Sequence, residues 1–434
     1  MSTTLSEIDA LWQSIEQAGN IDSYVQSELE KNGFVVERRD TDDMSKRELA
    51  TYKKELKAEA AEKKRLKKQA WQVYHKKNIV HLGDGIYWND QATIDKWDLA
   101  EPEARAQENE LPVLDKPKQL AEMLGLSISE LRWLSYHREA ATSIHYKRFT
   151  IPKRNGTERA IWAPMPKLKA AQHWVLYNIV ERLLVHGAAH GFIPGRSIAT
   201  NAEAHRNSKI VVKLDIKDFF PTVSLPRVKG IFRKAGYREQ IATLLAMLCT
   251  ESPREVVPHK GVNYYVATGP RSLPQGAPTS PALTNVLCLK LDQRLTGLAE
   301  SMGWRYTRYA DDLTFSIPRK SKKDPKVGAL IGTVKQIVSE EGFEVHPDKT
   351  KVHRSGGAQR VTGLVVNGEG EVRVPREIKR RIRAAIHNLK NGKPLKDGET
   401  ISTIEGYAAY IAMTDQELGW KMLNEIRALA EARM

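Results

Sequence analysis

Apolar residues return at every second position in Trp304-Arg305-Tyr306-Thr307 and again in Leu313-Thr314-Phe315-Ser316-Ile317, which predicts a β-hairpin with Asp311 and Asp312 at its turn. The largely apolar run Ile210-Val211-Val212-Lys213-Leu214 predicts a buried strand that ends on Asp215. Elsewhere the period lengthens. Leu49, Tyr52, Leu56, Leu66, Ala70 and Val73 recur at helical spacing and predict one long helix from Ser45 to Lys77, after a loosely helical stretch over residues 5–31. Ile79 to Leu82 and Ile86 to Trp88 flank Gly83-Asp84-Gly85 and predict a short hairpin. Residues 101–118 turn polar around Pro102, Pro112 and Pro117 and predict a linker.

Beyond it, residues 118–134 predict a helical hairpin capped by Ser127 or Ser129. Residues 146–162 predict two strands about an Asn155-Gly156 turn that carries Lys153, Arg154 and Arg159. Apolar periodicity predicts helices over 168–186 and 282–295, and the Gly and Pro turn at 191–195 leads into a helix that Thr200 or Asn201 could cap. Arg196 stands at that helix entrance, where an anion is favoured. After Pro375 a basic helix carries Ile378, Ile382, Ile386 and Leu389 on one stripe, and two more helices follow over 400–413 and 415–432. The expected division is 1–115, 116–208, 209–370 and 371–434.

Composition sharpens this picture. In 434 residues, 41% hydrophobic content leaves ample core, while 68 Lys and Arg against 53 Asp and Glu give a net charge of +15. That excess points to a polyanionic partner, with nucleic acid ahead of an anionic membrane surface. Twelve Lys or Arg against four Glu between Lys46 and Lys77 make the long helix a basic arm for phosphates or a solvated helix docked by its stripe. The sequence has no apolar run of about 18 residues and starts without a secretory pattern, so a cytoplasmic protein with no membrane partner is expected. Cys249 and Cys288 sit in apolar helical contexts and read as reduced packing residues.

Two adjacent aspartates on a tight turn repel one another unless they stay in water or share a cation. A third acid, Asp215, at the end of an apolar strand needs a partner too. Three such carboxylates suit two-metal phosphoryl transfer, in which paired Mg²⁺ ions activate an attacking hydroxyl and neutralise a leaving pyrophosphate. Asp215 and Asp311 would bridge the ions, Asp312 would assist, and the Ile216 carbonyl is placed to ligate.

Leu214-Asp215-Ile216-Lys217-Asp218-Phe219-Phe220, Leu273-Pro274-Gln275-Gly276-Ala277-Pro278-Thr279-Ser280-Pro281 and Tyr309-Ala310-Asp311-Asp312 resemble, in this order, the palm motifs of reverse transcriptases. The resemblance covers about residues 118–434. It implies an α+β right-hand polymerase fold with fingers, an antiparallel-sheet palm and a helical thumb, preceded by a mainly helical N-terminal extension. It assigns Asp215, Asp311 and Asp312 to catalysis and to two Mg²⁺ ions, for which Mn²⁺ could substitute. Lys153 and Arg159 match positions that grip the triphosphate, and Asp218 and Phe219 line the phosphate pocket. Phe220 matches the ring that excludes a 2′-hydroxyl, Gln275 an amide near the nucleotide, and Lys349 a lysine that protonates pyrophosphate.

Asn201-Ala202-Glu203-Ala204-His205 and Val361-Thr362-Gly363 resemble the two signatures of the retron branch. Retron enzymes lack a fused RNase H, protease or integrase, and the segment after Gly363 is too short to be one. The branch implies reverse transcription of a cognate structured noncoding RNA from an internal guanosine 2′-hydroxyl, giving branched RNA-linked single-stranded DNA. It also implies phage defence with an effector protein. Arg196, Asn201, His205, Val361, Thr362, Gly363, Lys379, Arg380 and Arg383 are the expected nucleic-acid contacts. Alternatives are a group II intron or diversity-generating reverse transcriptase, a template-independent abortive-infection polymerase, and an inert RNA-binding scaffold.

Overall fold

The computed structural model describes residues 5–42, 44–89, 94–152, 156, 158–368, 370–396 and 398–431. Lys153 and Arg154 lie outside the described residues.

Three helices open the chain: α1 (Leu5–Gln17), α2 (Ile21–Lys31) and α3 (Lys46–Lys77). Gly19 and Asn20 divide the first two, and Asn20 caps α2 by accepting from the Ser23 amide. Ser45 and Glu48 form a reciprocal capping box that starts α3. Ile15, Ile21, Tyr24, Val25, Leu29, Leu66 and Ala70 make a small core of their own.

Residues 79–88 do not form the expected hairpin. Ile79 and Leu82 are buried in the main core, and the Leu82 carbonyl accepts from the His137 amide at 2.8 Å. Docking takes the Leu82 carbonyl and the Trp88 indole takes the Ile79 carbonyl, so neither serves a hairpin ladder. Nor is 101–118 a linker. Pro102 and Pro117 occupy the first turns of α4 (Pro102–Glu108) and α5 (Pro117–Met123), where a missing amide hydrogen costs nothing. Ala106, Leu111 and Leu114 are buried, and Glu103 pairs with Arg238. The separate N-terminal packing unit therefore ends before Ile79 rather than at 115.

Next come α6 (Ile128–Ser135), capped by Ser127, β1 (Ala140–Ala141), and the antiparallel pair β2 (Tyr146–Pro152) and β3 (Glu158–Pro164). The helix expected over 168–186 is α7 (Pro166–Asn178) followed by a 3₁₀ turn. Ser197, rather than Thr200 or Asn201, caps α8 (Ile198–Glu203). Then follow β4 (Ser208–Asp215), α9 (Leu225–Ala235), α10 (Glu239–Cys249), β5 (Arg254–His259) and β6 (Val262–Ala267). The helix expected at 282–295 is two, α11 (Ser280–Leu287) and α12 (Leu289–Met302), interrupted at Cys288.

The hairpin expected about Asp311 is present as β7 (Arg305–Tyr309) and β8 (Asp312–Pro318). After α13 (Val327–Glu340), β9 (Lys351–Arg354) completes a four-stranded antiparallel sheet in the order β7-β8-β4-β9. Its buried residues Val212, Leu214, Leu313, Phe315 and Ile317 join the main core with residues of α9 to α13. The architecture is α+β, as expected.

The short pair β10 (Arg360–Val361) and β11 (Leu364–Val365) leads to α14 (Arg376–Lys390), α15 (Ile401–Ala412) and α16 (Gln416–Glu431). Ile382, Ile386, Leu389, Ile404, Ile411 and Ile426 close their core, which also takes in Ala202 of α8 and Val211 of β4.

Candidate active site

The β4–β8 register sets Asp215 opposite Asp312, and the Ile216 amide donates to the Asp311 carbonyl at 2.9 Å. All three acids are thereby drawn to one end of the sheet. The Lys349 ammonium lies 2.7 Å from Asp215 Oδ1, and the Lys213 ammonium 3.6 Å from Asp312 Oδ2. Asp311 fares worst. Burial first, and then the neighbouring charges of Asp215 and Asp312, push its carboxyl up to about 6.

Among the described residues no three acidic, histidine or cysteine side chains converge into a ready-made metal cage. The donor set is nonetheless made of hard oxygens, and three carboxylates stand there against the two lysines. Such a group fits divalent cations.

The turn itself is held from behind. Ala310 takes φ +53°, a conformation that costs an L-residue about 1–2 kcal/mol. The fully buried Arg308 guanidinium makes bidentate bonds to Asp292 at 2.7–3.2 Å and donates to Asn285 Oδ1 at 2.9 Å and the Ala310 carbonyl at 3.3 Å. Asn285 in turn donates to the Gly191 carbonyl at 2.8 Å. A Cβ on Gly191 would stand 2.9 Å from the Ala310 amide nitrogen, so only glycine lets this loop approach. Arg308, Asp292, Asn285, Gly191 and Lys213 escaped the sequence reading. The available signal was an arginine within an apolar strand and an aspartate on the apolar side of a helix.

Around this centre, Phe220 is half-buried beside Phe219, whose own ring lies in the core against Phe343. Phe219 therefore offers a ligand only its backbone. Asp218 is exposed with φ +45°. Gln275 is half-buried, and its carbonyl accepts from the Trp162 amide at 2.7 Å, which ties β3 to the Gln275 turn. Arg159 is exposed on β3.

Several expected nucleic-acid contacts are corrected by burial or by prior engagement. Asn201 and His205 are 1% and 0% exposed, so neither side chain reaches a partner. His205 instead bonds Ser316 Oγ and Thr307 Oγ1, each at 2.7 Å, and Thr307 donates to Asn201 Oδ1 at 2.6 Å. This network pins α8 to the back of the Asp311 hairpin. Val361 is likewise buried, and Thr362 Oγ1 donates to the Ile198 carbonyl at 2.9 Å. Gly363, at φ +89°, faces the Tyr410 hydroxyl, which a Cβ would meet at 2.9 Å. Both short motifs are therefore internal latches, one behind the hairpin and one between α8 and the C-terminal helices. Arg196 donates to the carbonyls of Gly187 and Ala189 instead of awaiting an anion, and Lys379 pairs with Asp415. Arg380 and Arg383 remain exposed, with no acidic partner within 4 Å among the described residues.

Burial holds the His205 imidazole down to about 3, well below its unfolded value. Its folded pKa is depressed, so stability is full above about pH 6.5 and falls as pH drops, by up to about 1.4 kcal/mol per unit. Urea unfolding at pH 7.5 and 5.5 should show a loss about 1 kcal/mol larger for the parent than for His205→Gln. Equal losses would place that proton elsewhere.

Residues 151–379 match the family described as reverse transcriptase (RNA-dependent DNA polymerase). The retron Mx162 reverse transcriptase of Myxococcus xanthus is 50% identical over 428 residues, covering 96% of this chain and 88% of that protein. The chain belongs to the retron-type reverse transcriptases. The retron Mx65 enzyme of Myxococcus xanthus is 44% identical over 74% of this chain and 73% of the relative. The retron Ec86 enzyme of Escherichia coli is 32% identical over 74% of this chain and 91% of its own length. This retron-type enzyme is accordingly an RNA-directed DNA polymerase, and its family generally uses divalent metal ions. No helix among the described residues is long and apolar enough to cross a membrane.

Proposed function

We propose that the enzyme extends a 2′-hydroxyl of a structured noncoding RNA into single-stranded DNA that stays branched to that RNA, using dNTPs at the Asp215, Asp311 and Asp312 site. The observation that carries the chemistry is the in-register approach of Asp215 and Asp312, with the adjacent Asp311 pushed up to about 6. The retron relatives carry the branch-product part of the reading.

Asp215, Asp311 and Asp312, with the Ile216 carbonyl beside them, would hold two Mg²⁺ ions, or Mn²⁺ in their place. When bound, the ions supply an activated hydroxyl and charge neutralisation at the pyrophosphate. The chain's own groups do the rest. Lys349, whose ammonium lies 2.7 Å from Asp215, would hand a proton to the leaving pyrophosphate. Arg159, with Lys153, would grip the triphosphate from the β2–β3 ribbon, and the backbone at Asp218 and Phe219 would line its pocket. Gln275 would face the nucleotide from a turn fixed by Trp162.

In this reading residues 116–208, 209–370 and 371–434 act as fingers, palm and thumb, residues 79–115 pack into the same main core, and the helices before Ile79 form an accessory extension. Arg380 and Arg383 would track backbone phosphates of the template–primer duplex. The setting is cytoplasmic phage defence with an effector protein.

Phe220 would pack beneath the sugar and exclude a 2′-hydroxyl. Phe220→Ala should lower the preference for dNTP over rNTP by about tenfold or more, measured as the ratio of kcat/KM values on a primed RNA template. The basic assay is dNTP incorporation by the purified protein on that template with Mg²⁺. Incorporation that EDTA abolishes supports the reading; incorporation indifferent to the template supports template-free synthesis, and none at all supports the scaffold.

A further inference from the structure

Helix α3 lies outside residues 151–379, the segment that matches the polymerase family. Lys46, Lys53, Lys57, Lys64 and Lys68 recur on it at intervals of seven and four residues. At 3.6 residues per turn they form one stripe, about 33 Å long at 1.5 Å per residue. All five are exposed, and none has an acidic partner within 4 Å among the described residues. Three of the helix's four acids are engaged elsewhere: Glu48 closes the capping box, Glu59 holds Arg38 and Glu62 holds Arg65, while Glu55, two residues from both Lys53 and Lys57, stands about 200° round the helix from them. Tyr52, Leu66, Ala70 and Val73 bury the far side, so the stripe is fixed in direction.

An ordinary solvated helix face mixes signs and gains from opposite charges four residues apart. Here Lys53 with Lys57 and Lys64 with Lys68 set like charges four apart, which costs stability. No acidic side chain among the described residues lies within 4 Å of these lysines to offset that repulsion. A polyanion would offset it.

We propose that this stripe is a docking rail for the phosphate backbone of a double-stranded RNA stem. The proposal rests on the reading that the enzyme works on a structured RNA. Ammonium groups act as point charges on phosphates and read no base. Single strands are held on stacking aromatics, but the aromatic residue beside the stripe, Trp71, is packed with Tyr74 and His75 at 5.4 and 5.6 Å. A straight row of about 33 Å matches roughly one turn of a duplex.

The test compares the parent with a variant carrying Lys53→Gln, Lys57→Gln, Lys64→Gln and Lys68→Gln, and with an equal-charge control carrying Lys234→Gln, Lys260→Gln, Lys320→Gln and Lys322→Gln. Fluorescence anisotropy follows a labelled 20-base-pair RNA duplex, a 20-nucleotide single-stranded RNA and anionic phosphatidylserine vesicles across a salt series. The rail variant should bind the duplex about tenfold or more weakly at 150 mM salt, with a log–log salt slope shallower by about 3–4. The control should bind within about twofold of the parent. Equal losses in both variants, no loss in the rail variant, or a loss confined to single strands or vesicles would overturn the proposal. DNA synthesis on a short primed homopolymer template is measured in parallel and should survive in the rail variant. Failure of the parent in that assay strikes the polymerase reading, while the duplex binding result decides the rail.

Discussion

Asp311→Asn combined with Asp312→Asn should lower DNA synthesis on a primed RNA template by at least about a thousandfold, while the folded protein becomes more stable in EDTA. The second half follows from the sign of the Asp311 shift. A folded pKa of about 6, above the unfolded carboxylate value, means that the ionised group opposes folding as pH rises from about 4 through 6. Asparagine removes that cost, which comes first from burial and then from the charges of Asp215 and Asp312 and is worth about 1–3 kcal/mol at pH 7.5. Added Mg²⁺ should then raise the Tm of the parent and leave that of the variant unchanged. Calorimetry with and without Mg²⁺, beside an incorporation assay, reads both effects. A variant that still makes DNA, or one that gains stability from Mg²⁺ as the parent does, would remove these residues from the metal site.

Arg308→Met is expected to cost about 3–5 kcal/mol in urea unfolding, because it leaves the Asp292 carboxylate charged in the core with no cation beside it and only the Tyr306 hydroxyl still donating to it. Adding Asp292→Leu should recover at least half of that loss, as apolar replacement of a buried pair often does. Activity should not return with stability. The Ala310 carbonyl loses its guanidinium donor in both variants, and the turn that carries Asp311 is no longer held at its positive φ. Full recovery of kcat in the double variant would reduce Arg308 to a packing role. A loss below about 1 kcal/mol in the single variant would contradict the buried pair altogether.

The chemistry of the centre was legible because its pattern is local. Period-2 alternation about Asp311 and Asp312, and an apolar run ending on Asp215, placed all three acids at strand ends before any tertiary contact was known. Their supports were not legible, because they depend on partners distant in the chain. Arg308 meets Asp292 across 16 residues, and His205 meets Thr307 across 102. A polar residue in a short motif reads as surface by default. The burial of Asn201 and His205 is decided by the packing of α8 against the sheet. Prolines misled in a similar way: Pro102 and Pro117 look like linker residues, yet each starts a helix, and only the burial of Ala106, Leu111 and Leu114 reveals a packed segment. The long basic helix was legible in both extent and stripe, since Ser45, Glu48 and the apolar spacing all lie within it.

These supports also separate what makes the chain a polymerase from what makes it a particular one. Asp215, Asp311 and Asp312 with their lysines form a centre suited to nucleotidyl transfer in general. The two short motifs stiffen the frame behind that centre and at the base of the C-terminal helices. In this account, the hold on RNA falls to exposed cations such as Arg380, Arg383 and the lysines of α3, which grip phosphates and read no base.

The most direct test of the central claim is the nucleic acid that copurifies with the protein from cells that also carry its noncoding RNA. After exhaustive ribonuclease treatment, the proposed function requires single-stranded DNA that still bears a short RNA remnant and that shifts on denaturing gels when a 2′,5′-debranching enzyme is added. DNA whose mobility the debranching enzyme leaves unchanged, or RNA with no DNA, would contradict it.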